Sequence, residues 1–153
     1  MQKITPFLWF DNNVEEAMNF YVSVFKNSKI ISVQRQGANG PVFTATIEVE
    51  GQRLHMLNGG PQFRFTEAVS LFVDCEDQQE VDELWTKLTA DGGKESRCGW
   101  LKDKFGFSWQ IIPKALMQYL RDSDPVKAKR AMDAMLTMNK IDVEGLKKAH
   151  EGR

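Results

Sequence analysis

The sequence predicts an α+β fold built from two βαβββ modules, followed by a helical extension. Residues 10–25 and residues 73–88 spell nearly the same amphipathic unit twice, so the domain is internally duplicated. Each copy follows an apolar strand that ends in an aspartate, and each runs on into further strand-like segments.

The first copy opens with a strand from Ile4 to Phe10 that stops at Asp11. Met18, Tyr21, Val22 and Phe25 then recur at helical spacing, and strands follow over residues 29–36, 42–48 and 53–57. In the second copy the strand Val69–Val73 stops at Asp74. Val81, Leu84, Trp85 and Leu88 then fall at i, i+3, i+4 and i+7, which is one buried helical stripe. Strands are expected next over roughly 94–98, 99–102 and 105–112. Gly37 and Gly40 join two strands, Gly59-Gly60-Pro61 links the modules, and Gly92-Gly93 is expected to cap a helix C-terminus.

Beyond residue 113 the pattern is one of short helices: Ala115–Leu120, a second entered through the Asp124-Pro125 cap, and a third starting at Asp142. Ala131, Met132, Met135, Leu136 and Met138 form a methionine-rich stripe suited to packing on the body or on a second subunit, and it favours a dimer. The expected organisation is a single domain over 1–153, with module one about 1–60, module two about 66–113 and the extension about 114–153.

A net charge of −1 with pI near 6.1 supplies no basic footprint for nucleic acid. Lys127, Lys129, Lys147 and Lys148 alternate with acids and apolar residues as a solvated helix face does. No run of 18 apolar residues occurs, and the chain starts on a strand without a basic-then-apolar leader, so no membrane association and a soluble, cytoplasmic protein are expected. Cys75 and Cys98 have neither CxxC spacing nor scaffold density and are expected to be reduced and structural.

Sorting each strand by parity separates two faces. Phe43, Ala45, Ile47 and Val49 oppose Thr44, Thr46 and Glu48, while Leu54 and Met56 oppose Arg53 and His55. Val69, Leu71 and Val73 oppose Ser70 and Phe72, and Trp109 and Ile111 oppose Ser108 and Gln110. The polar face would simply be wet in many antiparallel sheets. Here it is poor in lysine and rich in hydroxyls and aromatics, the mixture found lining small-molecule pockets. The expected binding residues are Phe7, Trp9, Phe72 and Trp100 as stacking surfaces and Thr46, Arg53, His55 and Gln110 as polar anchors, with a small aromatic or oxygen-rich molecule as ligand. His55 is the candidate catalytic group, because a positioned imidazole works near neutral pH.

The paired modules, with the segment Cys98-Gly-Trp-Leu-Lys-Asp-Lys-Phe-Gly-Phe-Ser-Trp-Gln-Ile-Ile-Pro113, resemble the vicinal oxygen chelate superfamily (glyoxalase, bleomycin resistance, dioxygenase), and more narrowly its PhnB-like branch. Pro125 to Leu146 is similar to the helical extension of proteins labelled 3-demethylubiquinone-9 3-methyltransferase-like. The resemblance implies an eight-stranded, cleft-shaped antiparallel half-barrel, pairing as homodimers, and in its enzymes a divalent metal held by His, Glu or Gln from four strand positions. Those positions carry Thr5 or Pro6, His55 or Met56, Ala68 or Val69, and Gln110, so only His55 and Gln110 offer metal donors. A catalytic metal takes about three protein ligands. Glu48 lies off the family pattern, and His150 is expected to be a solvated helix-end residue. No Gly-rich turn joins a strand to a helix as dinucleotide-type methyl donor sites require. Three activities stay open at this point: metal-assisted chemistry on a substrate with vicinal oxygens, methyl transfer with His55 as general base, and metal-free sequestration as in bleomycin-resistance proteins.

Overall fold

A computed structural model describes residues 2–153, which divide into two compact units, one ending at Phe65 and the other spanning Thr66–Arg153. In the first unit the order is β1 (Phe7–Phe10), α1 (Val14–Val24), β2 (Ser28–Arg35), β3 (Val42–Val49) and β4 (Gln52–Asn58). The sheet order is β1-β4-β3-β2. β1 runs parallel to β4 and the other pairs are antiparallel, so the sheet is mixed where a wholly antiparallel one was expected. The cause is the crossover through α1, which carries the chain back so that β2, and with it β4, runs in the direction of β1.

β1 is shorter than the apolar run suggests, and Ile4 is 86% exposed. Pro6 has no N–H to give a ladder. The Gln2 side-chain amide takes the place of a strand neighbour instead, donating to Arg53 O (3.1 Å) and accepting from Arg53 N (3.0 Å). α1 buries Val14, Ala17, Met18, Tyr21 and Val24, with Val22 at the rim. Its first N–H is capped from β4, where Asn58 Oδ1 accepts from Val14 N at 2.9 Å.

Parity fails at one place in β3. Val42 is buried and Phe43 is 40% exposed, because Arg35 pairs with Val42 and Gln34 with Thr44, leaving Phe43 as the extra residue of a bulge. From Thr44 onward the expected alternation holds, with Ala45, Ile47 and Val49 buried.

The second unit repeats the order: β5 (Ser70–Cys75), α2 (Gln78–Thr89), β6 (Lys94–Glu95), β7 (Trp100–Lys102) and β8 (Ser108–Pro113), in a sheet ordered β5-β8-β7-β6 with β5 parallel to β8. Asp77 caps α2 by accepting from Glu80 N at 2.9 Å, and Val81, Leu84, Trp85 and Leu88 are all buried. α2 ends at Ala90 and passes into a single 3-10 turn, Ala90–Gly92; Gly92 takes a positive φ as the last residue of that turn and Gly93 caps it by donating to Ala90 O, so the glycine pair ends the 3-10 turn and not α2 itself. Val69 lies outside β5 and is 64% exposed.

Residues 98–99 are a turn where strand was expected. Cys98 has φ 60° and Gly99 φ 84°, and a Cβ on Gly99 would sit 2.6 Å from Ile112 Cδ1. Phe105 also leaves the strand, because Asp103 Oδ1 gathers Phe105 N (2.9 Å) and Phe107 N (3.1 Å) into a tight turn before β8.

The extension forms α3 (Lys114–Leu120), α4 (Pro125–Met135) and α5 (Val143–Glu151), with Asp124 and Asp142 capping the last two as expected. Leu116, Ile141 and Leu146 close with Ile112 into a core of their own, and Met135 and Met138 pack against it. The methionine stripe therefore splits, with Met132 and Leu136 on the surface. Cys98 N and Gly99 N donate to Met138 O and Asn139 O, both at 2.8 Å. Gln78 Nε2 donates to Ile141 O while its Oε1 accepts from Val143 N. Among the described residues no helix is long and apolar enough to cross a membrane.

Candidate ligand-binding face

In the first sheet β4 places His55 between β1 and β3, level with Phe7 on one side and Thr46 on the other. All three point away from the α1 face, since their neighbours Leu8, Ala45, Ile47, Leu54 and Met56 are the buried ones. Thr46 Oγ1 lies 2.8 Å from His55 Nδ1, and the Phe7 ring is 5.5 Å from the imidazole and 58% exposed. With Nδ1 engaged by the hydroxyl, Nε2 is the nitrogen left for a ligand.

Trp9 shares this face but is already committed. Its Nε1 donates to Gly60 O at 2.9 Å, Phe63 meets it edge-on at 5.0 Å, and a Cβ on Gly59 would come within 2.3 Å of the indole. Arg53, two residues along β4, faces Glu48 across the pair at 3.5 Å; Glu48 also reaches Lys29 at 3.6 Å. Such exposed pairs contribute little stability, about 0–1 kcal/mol. They border a cavity of about 350 Å³ lined by Gln2, Glu48, Gly51 and Arg53.

The second sheet uses the same layout. Gln110 of β8 lies between Phe72 of β5 and Trp100 of β7, as His55 lies between Phe7 and Thr46. Its Nε2 donates to Ser70 Oγ at 2.9 Å, Phe72 is 51% exposed and Trp100 is half-buried. Trp100 also borders a cavity of about 250 Å³ together with Glu67, Lys94, Lys102 and Ser108. The Lys102 ammonium bonds to Glu67 and holds that carboxyl below the usual carboxylate range. Lys94, Lys102 and Glu67 were absent from the residues expected at the site. The available signal was Ser108, which shares the face of Gln110 by parity.

The family model for 3-demethylubiquinone-9 3-methyltransferase matches residues 2–112. The chain belongs to this family. The 3-demethylubiquinone-9 3-methyltransferase family match is accompanied by likeness to a Bacillus cereus PhnB protein, 39% identical, covering 73% of this chain and 99% of that one with a TM-score of 0.68. A protein from Pseudomonas aeruginosa is 18% identical over 74% of this chain and 98% of that one, with a TM-score of 0.59. The genomically encoded fosfomycin resistance protein of Listeria monocytogenes is 14% identical over 79% and 98%, with a TM-score of 0.53. The last two share the fold. The expected PhnB-like vicinal oxygen chelate assignment is met. No functionally curated protein matches the chain.

The metal that the fold family implies does not fit the donors present in this 3-demethylubiquinone-9 3-methyltransferase family member. Among the described residues no three His, Cys, Asp or Glu side chains come together, and the central row of each sheet offers one metal donor, His55 in the first and Gln110 in the second, where about three are needed. His150, expected to be solvated, is held by Asp122 Oδ2 at 2.7 Å and packs at a tilt against the Tyr119 ring, 4.7 Å between centroids, so it fastens the extension. Cys75 is buried, and burial together with the Glu80 carboxylate pushes its thiol up to about 12, far from nucleophilic use.

Proposed function

We propose that this protein binds a small aromatic or oxygen-rich molecule on the open faces of its sheets, without a resident metal, as a cytoplasmic homodimer whose two units act as one glyoxalase-like domain. The supporting observation is the repeated row: an exposed phenylalanine beside a central polar side chain, Phe7 with His55 and Phe72 with Gln110. A ring provides contact area at low entropic cost, and one hydrogen-bonding group beside it fixes orientation. Thr46 orients the imidazole, Arg53 and Gln110 offer further polar contacts, and Trp9 and Trp100 supply walls.

A second reading adds catalysis at His55, on the strength of its contact with Thr46. When Nδ1–H donates to the threonine oxygen, Nε2 carries a free lone pair and can accept a phenolic proton. The proton moves from the phenol oxygen to Nε2, leaving a phenolate held beside an imidazolium. Transfer of a methyl group, the reaction in the family's name, would need a donor for which the chain has no glycine-rich turn.

The test is thermal unfolding of metal-stripped protein with catechol, with and without manganese, iron, nickel or zinc, beside His55→Ala and Phe7→Ala. A ligand that binds the native state must raise the midpoint by mass action. The expected result is a catechol-dependent rise that needs no metal and disappears in both variants. A rise that appears only with metal and is lost in His55→Ala would make this a metal-dependent site and overturn the proposal.

A further inference from the structure

We infer that the second sheet carries a subsite for an aryl carboxylate, formed by Ser108, Lys102 and Lys94 beside Trp100; it deepens, and rests on, the reading that these open faces bind a small oxygen-rich molecule. The pairing register sets the four residues out. Lys94 of β6 is opposite Lys102 of β7, Lys102 is opposite Ser108 of β8, and Ser108 is opposite Ser70 of β5. The next row along the same face holds Trp100, Gln110 and Phe72.

Two features of the first row work against folding and call for a ligand. Like charges directly opposite each other on neighbouring strands repel, and Lys94 faces Lys102. Among the described residues no carboxylate forms an ion pair with Lys94, and the one on Lys102 comes from Glu67, an exposed side chain outside any strand. Ser108 is only 1% exposed, yet its Oγ has no hydrogen-bond partner while it lines the 250 Å³ cavity. A buried hydroxyl left unbonded is unfavourable, and alanine would occupy the same place without that penalty.

Both features are answered by one negatively charged oxygen group lying over the row. It would accept from Ser108 Oγ–H and from Lys102 and Lys94, charge-assisted contacts that are among the stronger hydrogen bonds. Glu67 indicates the class, since the group Lys102 already holds is a carboxylate, on a side chain that is itself largely exposed. Glu95 borders the same cavity without spoiling it. It pairs with buried Leu101 on the helix side, and its carboxylate accepts from Trp85 Nε1. Trp100 stands two residues from Lys102 along β7, about 7 Å away. That separation places a ring on the indole when the carboxylate is on the lysines.

Isothermal titration of the full chain with benzoate, benzamide and inorganic phosphate tests the subsite. Benzoate should bind at least roughly tenfold more tightly than benzamide, the scale of a hydrogen bond to a charged group. Ser108→Ala should weaken benzoate about tenfold while leaving the urea midpoint unchanged or raised, and Lys102→Met should weaken it similarly. Glu67→Gln should tighten benzoate severalfold by removing the competing carboxylate. Equal binding of benzoate and benzamide, an unaffected Ser108→Ala, or a Glu67→Gln variant that binds no better would each overturn the subsite. Phosphate binding as tightly as benzoate would overturn the aryl carboxylate class. Catechol binding that persists without any preference for benzoate would remove the subsite and leave the broader reading in place. A benzoate preference that survives in a protein blind to catechol would keep the subsite and remove catechol binding at the His55 row.

Discussion

Replacing Asp103 by asparagine is expected to destabilise the second unit by about 2–4 kcal/mol, although the two side chains have nearly the same shape. Asp103 is 2% exposed; its Oδ1 accepts from Phe105 N at 2.9 Å and Phe107 N at 3.1 Å, and its Oδ2 accepts from Trp109 Nε1 at 2.9 Å. An asparagine oxygen can serve the two backbone donors, but its amide N–H2 then confronts the indole N–H. One buried donor loses its acceptor, which costs about 1–3 kcal/mol, and the two turn bonds lose the charge that strengthens them. Urea unfolding followed by circular dichroism gives the difference directly. A double-mutant cycle with Trp109→Phe, which deletes the orphaned donor, should recover about 1–2 kcal/mol as coupling. An Asp103→Asn protein within 0.5 kcal/mol of the parent, or a cycle with no coupling, would refute the assignment. The stake is functional as well, because this turn sets where β8 begins and so which face Ser108 and Gln110 occupy.

Gly59→Ala forces a methyl group into the Trp9 indole, where the nearest atom would be 2.3 Å away, and should cost about 1–3 kcal/mol with a shift in tryptophan fluorescence; unchanged emission and stability would mean that the linker moves freely over Trp9. Iodoacetamide at pH 8 should leave Cys75 unmodified by mass spectrometry, its thiol lying near 12, until urea exposes it; rapid native labelling of Cys75 would contradict its burial. The Asp124 N–H, followed by the His150 ring, holds the Asp122 carboxyl below its ordinary range. Its contribution is therefore complete above the ordinary aspartate value of about 3.9 and is lost as pH falls through the lower folded value. Asp122→Asn should flatten that acid limb in a stability–pH profile, and an identical limb in parent and variant would refute it.

Much of the architecture was legible because strand parity and helical period are local. The stripe Val81, Leu84, Trp85 and Leu88 reads directly off the chain, and the Phe7 and His55 face follows once β1 and β4 are recognised. What escaped depended on distant partners. Phe43 is turned outward by a bulge whose other half lies in β2, and Gly99 is pinned by Ile112 and Ile141. Trp9 is held by a carbonyl in the linker, a contact with no periodic signature. The row of Lys94, Lys102 and Ser108 needed the register of a two-residue strand, which no pattern in the sequence specifies.

The contacts of Gln78, Cys98 and Gly99 have a temporal meaning. Every ladder of the first unit closes once Asn58 exists, whereas these three residues take their partners from residues 138–143. A ribosome adds roughly 5–20 residues per second, and domains fold as they emerge. The first unit thus has a head start of several seconds, during which the second sheet waits with Ile112 and the turn at Gly99 uncovered. A chaperone that engages this chain during synthesis would find its target there.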